Sequence, residues 1–151
     1  MLDDTDRRIL RQYQADPETP MAELAERAGV TPSTLARRLA GLRDSGVLRG
    51  VRGVIDWGVL GYSIEVMLRV TLDKTEPRAF DEFLAEARCV PEVIEIQTFL
   101  GTVDLRLAVI ARDLAHYQRL YRERLLVLPH LSDVEALMHV SLVKADETVP
   151  L

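Results

Sequence analysis

Five arginines stand close together in the first third of the chain, where they could bind a polyanion. They are Arg37, Arg38, Arg43, Arg49 and Arg52, and Asp44 is the one acidic residue between positions 37 and 52. A guanidinium group is planar and permanently charged, so it can bind a phosphate or a guanine edge through two parallel hydrogen bonds. Hydroxyl side chains precede the cluster, at Thr31, Ser33 and Thr34. This pattern is typical of a local nucleic-acid-binding surface.

The rest of the chain is acidic, which confines that surface to one place. The sequence has 151 residues and a formal net charge of −5, with 48% hydrophobic and 28% charged residues, as in ordinary globular proteins. Residues 1–50 contain eight arginines and eight acidic residues, whereas the remaining chain contains eleven basic and sixteen acidic residues. This distribution excludes a protein coated uniformly for nucleic acid.

The apolar and cysteine patterns indicate where the protein works. The first residues, MLDDTDRR, are acidic, and the uninterrupted apolar runs are only a few residues long, far below the roughly 20 that cross a bilayer. We therefore expect a cytoplasmic protein. Cys89 is the single cysteine, so we expect no internal disulfide and interpret this residue as a small buried side chain.

The basic cluster needs a scaffold, and the first fifty residues predict three helices. The first covers DDTDRRILRQYQAD, with Asp3 or Asp4 as its cap and Asp16-Pro17 as its stop. The second covers TPMAELAERAG, with Thr19 as N-cap, Pro20 at the first helical position and Gly29 beyond the end.

The third predicted helix covers TPSTLARRLAGLRDSG, with Thr31 as N-cap and Gly46 at its exit. A short glycine-containing turn separates it from the second helix, which matches a helix-turn-helix. In that motif the second helix enters the major groove of DNA, and its N-terminal residues contact base edges. We therefore predict that Thr31 caps the DNA-facing end, that Ser33, Thr34 and Arg37 reach bases or phosphates, and that Arg38, Arg49 and Arg52 bind phosphates.

After residue 61 the hydrophobic period changes from that of a helix to that of a strand. SIEVMLRVTL, VIEIQTFL, VDLRLAVIA and VEALMHVSLV alternate between apolar and polar residues, and helical patterns cover PRAFDEFLAEA and DLAHYQRLYRERLLVL. The order is strand, helix, strand, strand, helix, strand. The fold class is therefore α+β, with a helix-turn-helix domain followed by a ferredoxin-like βαββαβ domain.

We place the domain limits where these patterns change. Residues 1–50 form the helix-turn-helix domain, 51–61 form a wing or linking strand, and 62–151 form the ferredoxin-like domain. The apolar segment Val51–Ile55 and the exposed strand faces are the expected surfaces for self-association.

The sequence offers little that could support an enzyme. It contains neither the G-x-G-x-x-G nor the Walker pattern of phosphate-binding loops. His116, His130 and His139 lack the spacing of metal ligands, and we interpret them as surface or strand residues. We predict no catalytic residue, no metal and no cofactor.

Taken together, these motifs resemble the Lrp/AsnC (feast/famine) family of transcriptional regulators. The resemblance rests on LDDTDRRIL, on ELAERAGVTPSTLARRLAGLRDSGVLRG, on the linker ending in VLGY, on Gly101-Thr102-Val103-Asp104 between two strands, and on LPHLSDVEAL. It covers almost the whole chain. It implies an N-terminal winged helix-turn-helix domain that binds DNA and a C-terminal domain that dimerises through its sheet and often binds an amino acid, with dimers assembling further.

With that resemblance, the turn at Gly101 becomes the candidate effector site. The backbone N–H groups of Gly101, Thr102 and Val103 could hold a carboxylate, and Asp104 could accept a hydrogen bond from an α-ammonium group. Alternation along the strand assigns Val103 and Leu105 more to the core than to the pocket. Weaker candidates for lining the pocket are Leu137, His139 and Ser141.

Two other functions are compatible with the same fold. Siroheme decarboxylase subunits resemble this family, but they typically carry a His-Asn-Tyr type stretch entering the second strand of the C-terminal domain, where this chain has CVPEVIEIQTF. A stand-alone amino-acid-binding module without DNA affinity is the other alternative, and the predicted recognition helix argues against it.

Overall fold

The chain folds into two compact units. The computed structural model describes residues 2–144 and 148–151. The first unit is built from the chain up to Val54 and from Lys144 onwards, and the second extends from Ile55 to Val143. Among the described residues, no helix is long and apolar enough to cross a membrane. The domain limits at residues 50 and 61 stay a prediction.

Helix α1 spans Asp4–Ala15 and begins at a reciprocal cap. Asp3 is the N-cap: its Oδ1 accepts a hydrogen bond from the Asp6 N–H at 2.8 Å, and Asp6 Oδ2 accepts one from the Asp3 N–H at 3.2 Å. This capping box satisfies N–H groups that the helix itself cannot pair. Of the two predicted caps, the structure uses Asp3. The helix ends where expected, directly before Asp16-Pro17.

Helix α2 spans Met21–Ala28, and the predicted cap at Thr19 is wrong. The N-cap is Pro20, which makes no side-chain hydrogen bond to the helix. The Thr19 hydroxyl instead donates to Asp16 Oδ2 at 2.8 Å. An ionised carboxylate only accepts hydrogen bonds, so it draws the nearby hydroxyl away from the helix. Gly29 ends α2 as predicted, with a left-handed φ of 67° that glycine adopts without a steric penalty.

Helix α3 spans Pro32–Asp44 and carries the basic cluster. The Thr31 side chain caps it by accepting a hydrogen bond from the Thr34 N–H at 3.2 Å, as predicted. The three helices bury one apolar core, consisting of Ile9, Leu24, Ala25, Ala28, Leu35, Leu39 and Leu42. The inward face of α2 is therefore formed by Leu24, Ala25 and Ala28, and that of α3 by Leu35, Leu39 and Leu42.

The second unit is a four-stranded antiparallel sheet with helices on one face. Its elements in chain order are β1 (Ile64–Leu72), α4 (Ala79–Ala87), β2 (Val93–Thr98), β3 (Leu105–Ala111), α5 (Leu114–Leu120) with a further π-helical turn (Tyr121–Leu125), and β4 (Leu131–Met138). The strand order is β2-β3-β1-β4. This arrangement confirms the ferredoxin-like prediction.

The helices cover one face of that sheet. Alternate residues of β1 and β3, including Val66, Leu68 and Leu107, pack with Phe83 of α4 and Tyr117 of α5 in the core. The opposite face presents Arg69, Glu135 and Leu137 to solvent. An antiparallel sheet tolerates one such open face.

Strand β4 begins and ends earlier than the predicted alternation from Val134 to Leu142. Met138 lies opposite Val66, near the start of β1. One more backbone hydrogen bond follows, from His139 N–H to Glu65 O at 2.9 Å. Beyond it the chain leaves the sheet, and Val140 is 95% exposed.

The linking strand expected between residues 51 and 61 does not form. Strand conformation is stable only where a neighbour takes up the backbone N–H and C=O groups, and this segment has no such neighbour within the described chain. A turn closes it instead, with the Tyr62 N–H donating to Trp57 O at 3.0 Å. Val54 is 92% exposed.

Candidate nucleic-acid interface and ligand site

The N-terminus of α3 presents a cluster of hydroxyl groups to solvent. The Thr31 hydroxyl lies 3.1 Å from that of Ser33 and donates to that of Thr34 at 2.9 Å. Pro32 in the first turn has no N–H to leave unpaired. A helix N-terminus attracts anions because its unpaired N–H groups point outwards.

Arg37 extends this outward surface by one helical turn. Its side chain is exposed, on the side of α3 opposite the buried Leu35 and Leu39. Across the described chain it has no ion-pair partner, so its charge is available to a ligand. The structure therefore brings Ser33, Thr34 and Arg37 to one accessible face.

Arg38 differs sharply from its neighbour. Its Nη1 donates to Asp3 Oδ2 at 2.7 Å and to Asp6 Oδ1 at 3.2 Å. The hydrogen bond and charge of Asp3 raise the pKa of Arg38, so this guanidinium is permanently charged and paired within the protein. The predicted phosphate contact at Arg38 is therefore not supported by its surroundings.

Arg49 and Arg52 follow α3 in irregular chain. Both side chains are exposed, and Gly50 between them has a φ of 149°. They lie in the region expected for a wing, although no strand is assigned there among the described residues. Exposed arginines in an irregular segment are suited to phosphate contacts, because a phosphate contact requires a less exact geometry than a base contact does.

A second site lies on the open face of the sheet, beside the loop between β2 and β3. A cavity of about 380 Å³ is lined by Met67, Arg69, Phe99, Leu100, Gly101, Thr102, Val103 and Arg106. Arg69 and Arg106 face each other across the β1–β3 ladder. Arg69 is paired with Glu135 at 3.0 Å, whereas Arg106 has no ion-pair partner among the described residues.

The loop beside the cavity contains a glycine with an unusual backbone conformation. Gly101 has a φ of 158°, a positive value that residues with side chains rarely adopt. The Thr102 carbonyl accepts a hydrogen bond from the Thr71 hydroxyl at 3.3 Å. Val103 lines the cavity and is partly exposed, contrary to the predicted core position, while Leu105 is fully buried as predicted.

Asp104 does not line this cavity, and its predicted contact with an α-ammonium group stays a prediction. Its Oδ2 accepts a hydrogen bond from the Leu72 N–H at 2.9 Å, and its Oδ1 lies 2.9 Å from Lys74 Nζ. Burial raises the pKa of Asp104, but the Leu72 N–H and the Lys74 ammonium together hold it below its ordinary value. Asp104 is therefore an ionised structural residue.

The three weaker candidates are placed differently from one another. Leu137 lies opposite Met67 in the β1–β4 ladder, on the open face and near the cavity. His139 lies just past β4, with its Nδ1 3.2 Å from Glu65 Oε2. Ser141 lies in irregular, exposed chain. Neither His139 nor Ser141 lines the cavity.

Sequence reasoning missed the two arginines of the cavity. Both lie at polar positions of alternating strands, which was visible in the sequence. Their proximity depends on the β1–β3 register, which the sequence pattern does not specify.

The described residues show no group of His, Cys, Asp or Glu side chains that could hold a metal ion. Cys89 is exposed, with its thiol donating to Ala85 O at 3.3 Å, so the prediction of a buried side chain is wrong. Helix α4 ends at Ala87, and Cys89 lies in the turn that follows it.

Comparison with known proteins identifies both units. Residues 2–49 match a model described as winged helix-turn-helix DNA-binding, and residues 65–149 match the Lrp/AsnC ligand binding domain. The chain is 33% identical to the proline dehydrogenase transcriptional activator of Rhodobacter capsulatus, over 87% of this chain and 86% of that protein. It is 35% identical to the regulator AldR of Mycolicibacterium smegmatis, over 82% and 72% of the two chains.

A solved structure shows the same fold. It is the complex of a Neisseria meningitidis transcriptional regulator with L-methionine, which has a TM-score of 0.91 and 25% identity over 99% of this chain and 97% of that one. The match of one family model to more than half of the chain, together with these relatives, shows that the protein belongs to the Lrp/AsnC family of transcriptional regulators.

Proposed function

We propose that the protein is a sequence-specific DNA-binding regulator whose binding is modulated by an amino acid, and that it has no enzymatic activity. The observation that carries the DNA-binding part is the accessible face of α3, where Ser33, Thr34 and Arg37 stand beside a capped N-terminus. A DNA partner also agrees with the expected cytoplasmic location.

Each of the proposed DNA-binding residues is suited to a particular kind of contact with the DNA. Arg37 can read a guanine edge through two hydrogen bonds, and the hydroxyls of Ser33 and Thr34 can bond to bases or phosphates. Arg49 and Arg52 extend the basic surface beyond α3 and suit phosphate contacts. Thr31 holds the helix start that faces the DNA.

Replacing Arg37 with Ala is expected to weaken binding to the operator by about 1–3 kcal/mol, because it removes a base contact while the exposed side chain contributes little to folding. An electrophoretic mobility-shift assay on the duplex that the wild-type protein selects from a random pool would measure this loss. Arg43→Ala is the matched control, since Arg43 is exposed in the last turn of the same helix. Equal losses in the two variants would contradict the assignment.

We propose that the effector binds in the cavity beside Gly101. Arg106 provides the cation for a carboxylate, the loop from Gly101 to Val103 provides backbone groups, and Met67 and Phe99 provide apolar walls. A cavity with this chemistry suits an amino acid with an apolar side chain. The methionine complex of the Neisseria meningitidis relative supports this class of ligand.

Replacing Arg106 with Gln is expected to weaken effector binding about tenfold, because a charge-assisted hydrogen bond is replaced by a neutral one. A thermal-shift screen of the twenty amino acids would identify the ligand, and isothermal titration would compare the variants. Arg119→Gln, at an exposed position of α5, is the control. Unchanged affinity in the Arg106 variant would place the effector elsewhere.

We propose that a second copy covers the open face of the sheet. A protomer with a net charge of −5 binds DNA weakly, so useful affinity requires two recognition helices held about 34 Å apart or at a multiple of that distance. Exposed apolar side chains on this face and in the segment Val51–Ile55 are the contact surface. Further assembly of dimers belongs to the same proposal.

Two observations would contradict these proposals. A tetrapyrrole absorption band in the ultraviolet–visible spectrum of the purified protein would favour the siroheme decarboxylase-like alternative. Amino-acid binding without selection of any duplex would favour the stand-alone sensor.

A further inference from the structure

The guanidinium of Arg38 joins two helices of the DNA-binding unit. One nitrogen, Nη1, lies 2.7 Å from Asp3 and 3.2 Å from Asp6. Arg38 belongs to the middle of α3, while the two acids form the start of α1. The ion pairs therefore connect the proposed recognition helix to the first helix.

The connection is made through the cap of α1. Asp3 uses Oδ1 for the Asp6 N–H and Oδ2 for Arg38, while Asp6 uses Oδ2 for the Asp3 N–H and Oδ1 for Arg38. Each carboxylate thus binds a backbone group with one oxygen and the guanidinium with the other. The start of α1 and the middle of α3 are therefore joined at one point by side-chain hydrogen bonds.

Burial and charge make Arg38 a poor ligand for DNA. The Asp6 side chain is 11% exposed and that of Arg38 is 34% exposed. Arg38 Nε is buried and has no hydrogen-bond partner in the described part of the chain. Two carboxylates already accept hydrogen bonds from this one cation, so a phosphate would have to displace them.

We propose that Arg38 is a positioning residue, which fixes the orientation of α3 against the capping box of α1 so that the outward side chains of α3 reach the bases. This inference rests on the proposed DNA-binding function and assigns Arg38 a different role from the phosphate contact predicted from the sequence.

Removing the charge of Asp3 distinguishes a phosphate contact at Arg38 from a positioning role for Arg38. Asn is as good an N-cap as Asp, so Asp3→Asn keeps the start of α1 but removes one charge that holds Arg38. If Arg38 bound a phosphate, this variant would bind DNA more tightly, because it releases the guanidinium and removes a negative charge. If Arg38 positions α3, the variant binds specific DNA less tightly.

The experiment uses the full chain and the duplex that the wild-type protein selects from a random pool. We expect Arg38→Gln and Asp3→Asn each to bind this duplex about tenfold more weakly, equivalent to the loss of one base-edge contact. The slope of log K against log salt stays as in the wild type, because no phosphate contact is lost. The double variant is no weaker than the weaker single variant.

Arg43→Gln is the matched control, since it removes a charge from an exposed position of the same helix and is expected to lose less affinity than Arg38→Gln. Tighter binding by Asp3→Asn, or a salt slope reduced by about one in Arg38→Gln, would overturn the inference. Circular dichroism verifies that each variant is folded, and if Arg38→Gln is not, Asp3→Asn decides. Failure of the wild type to select any duplex overturns the proposed function and this inference with it, whereas selection by the wild type with unchanged binding by both variants overturns this inference alone.

Discussion

Replacing Leu137 with Asp is expected to convert a dimer into a monomer and to weaken binding to a two-half-site operator about 10²–10⁴-fold, because the second half-site is then no longer bound within one complex. Leu137 is 43% exposed on the open face of the sheet, opposite Met67 in the β1–β4 ladder. A charge without a partner in a buried interface costs several kilocalories per mole. Sedimentation velocity and a mobility-shift assay would measure the two effects together.

The control for this variant is Val127→Asp. Val127 is 67% exposed and follows the helical layer, on the covered side of the sheet, so the same charge is added away from the proposed interface. Because both side chains are exposed in the single chain, its folding does not depend on an apolar residue at either position. A Leu137→Asp protein that remains dimeric and keeps its operator affinity would contradict the proposal that the open face associates.

The helix-turn-helix could be predicted closely because its signals are local. Thr31 caps α3 through a hydrogen bond to a residue three positions away, and Gly29 ends α2 through its own backbone conformation. The buried faces follow from the spacing of apolar residues within each helix. Such features depend on neighbours in the sequence, which are visible before the fold is known.

The sequence predictions were wrong where the hydrogen bonds of a group depended on which partners the fold places nearby. Thr19 is a good N-cap by type, but Asp16 is close enough to take its hydroxyl. The apolar segment from Val51 to Ile55 has strand character, but a strand forms only when another strand pairs with it. Both outcomes depend on which hydrogen-bond partners are available in the fold, and the intrinsic propensity of a residue type does not describe that.

The candidate sites show the same division. Ser33, Thr34 and Arg37 lie together on one helix, so their shared face could be predicted. Arg69 and Arg106 lie on different strands, and their proximity depends on a register that local patterns do not determine. Arg38 required the most non-local information, because its partners lie more than thirty residues away.

Replacing Asp104 with Ala is expected to lower the free energy of unfolding by about 2–3 kcal/mol, because the buried Leu72 N–H loses a charged acceptor. Asp104→Asn keeps an acceptor oxygen and is expected to lose about 1 kcal/mol. Lys74→Ala is expected to cost less than about 1 kcal/mol, since the Lys74 side chain is 65% exposed and its ion pair is screened by solvent. Urea unfolding followed by circular dichroism would rank the three variants.

The same residue gives the protein a predicted acid sensitivity. Because folding lowers the pKa of Asp104, its stabilising contribution is fully present above the unfolded pKa of about 3.9 and is lost as the pH falls towards the folded value. Asp104→Asn, which does not titrate, should therefore lose less stability than the wild type between pH 5 and the acid limit, roughly the window in which such carboxylates protonate. Its affinity for the effector should be unchanged at neutral pH, since the carboxylate points away from the cavity beside Gly101. An Asn variant that is as stable as the wild type but has lost effector affinity would instead return Asp104 to the ligand site, because a purely structural carboxylate cannot produce that combination.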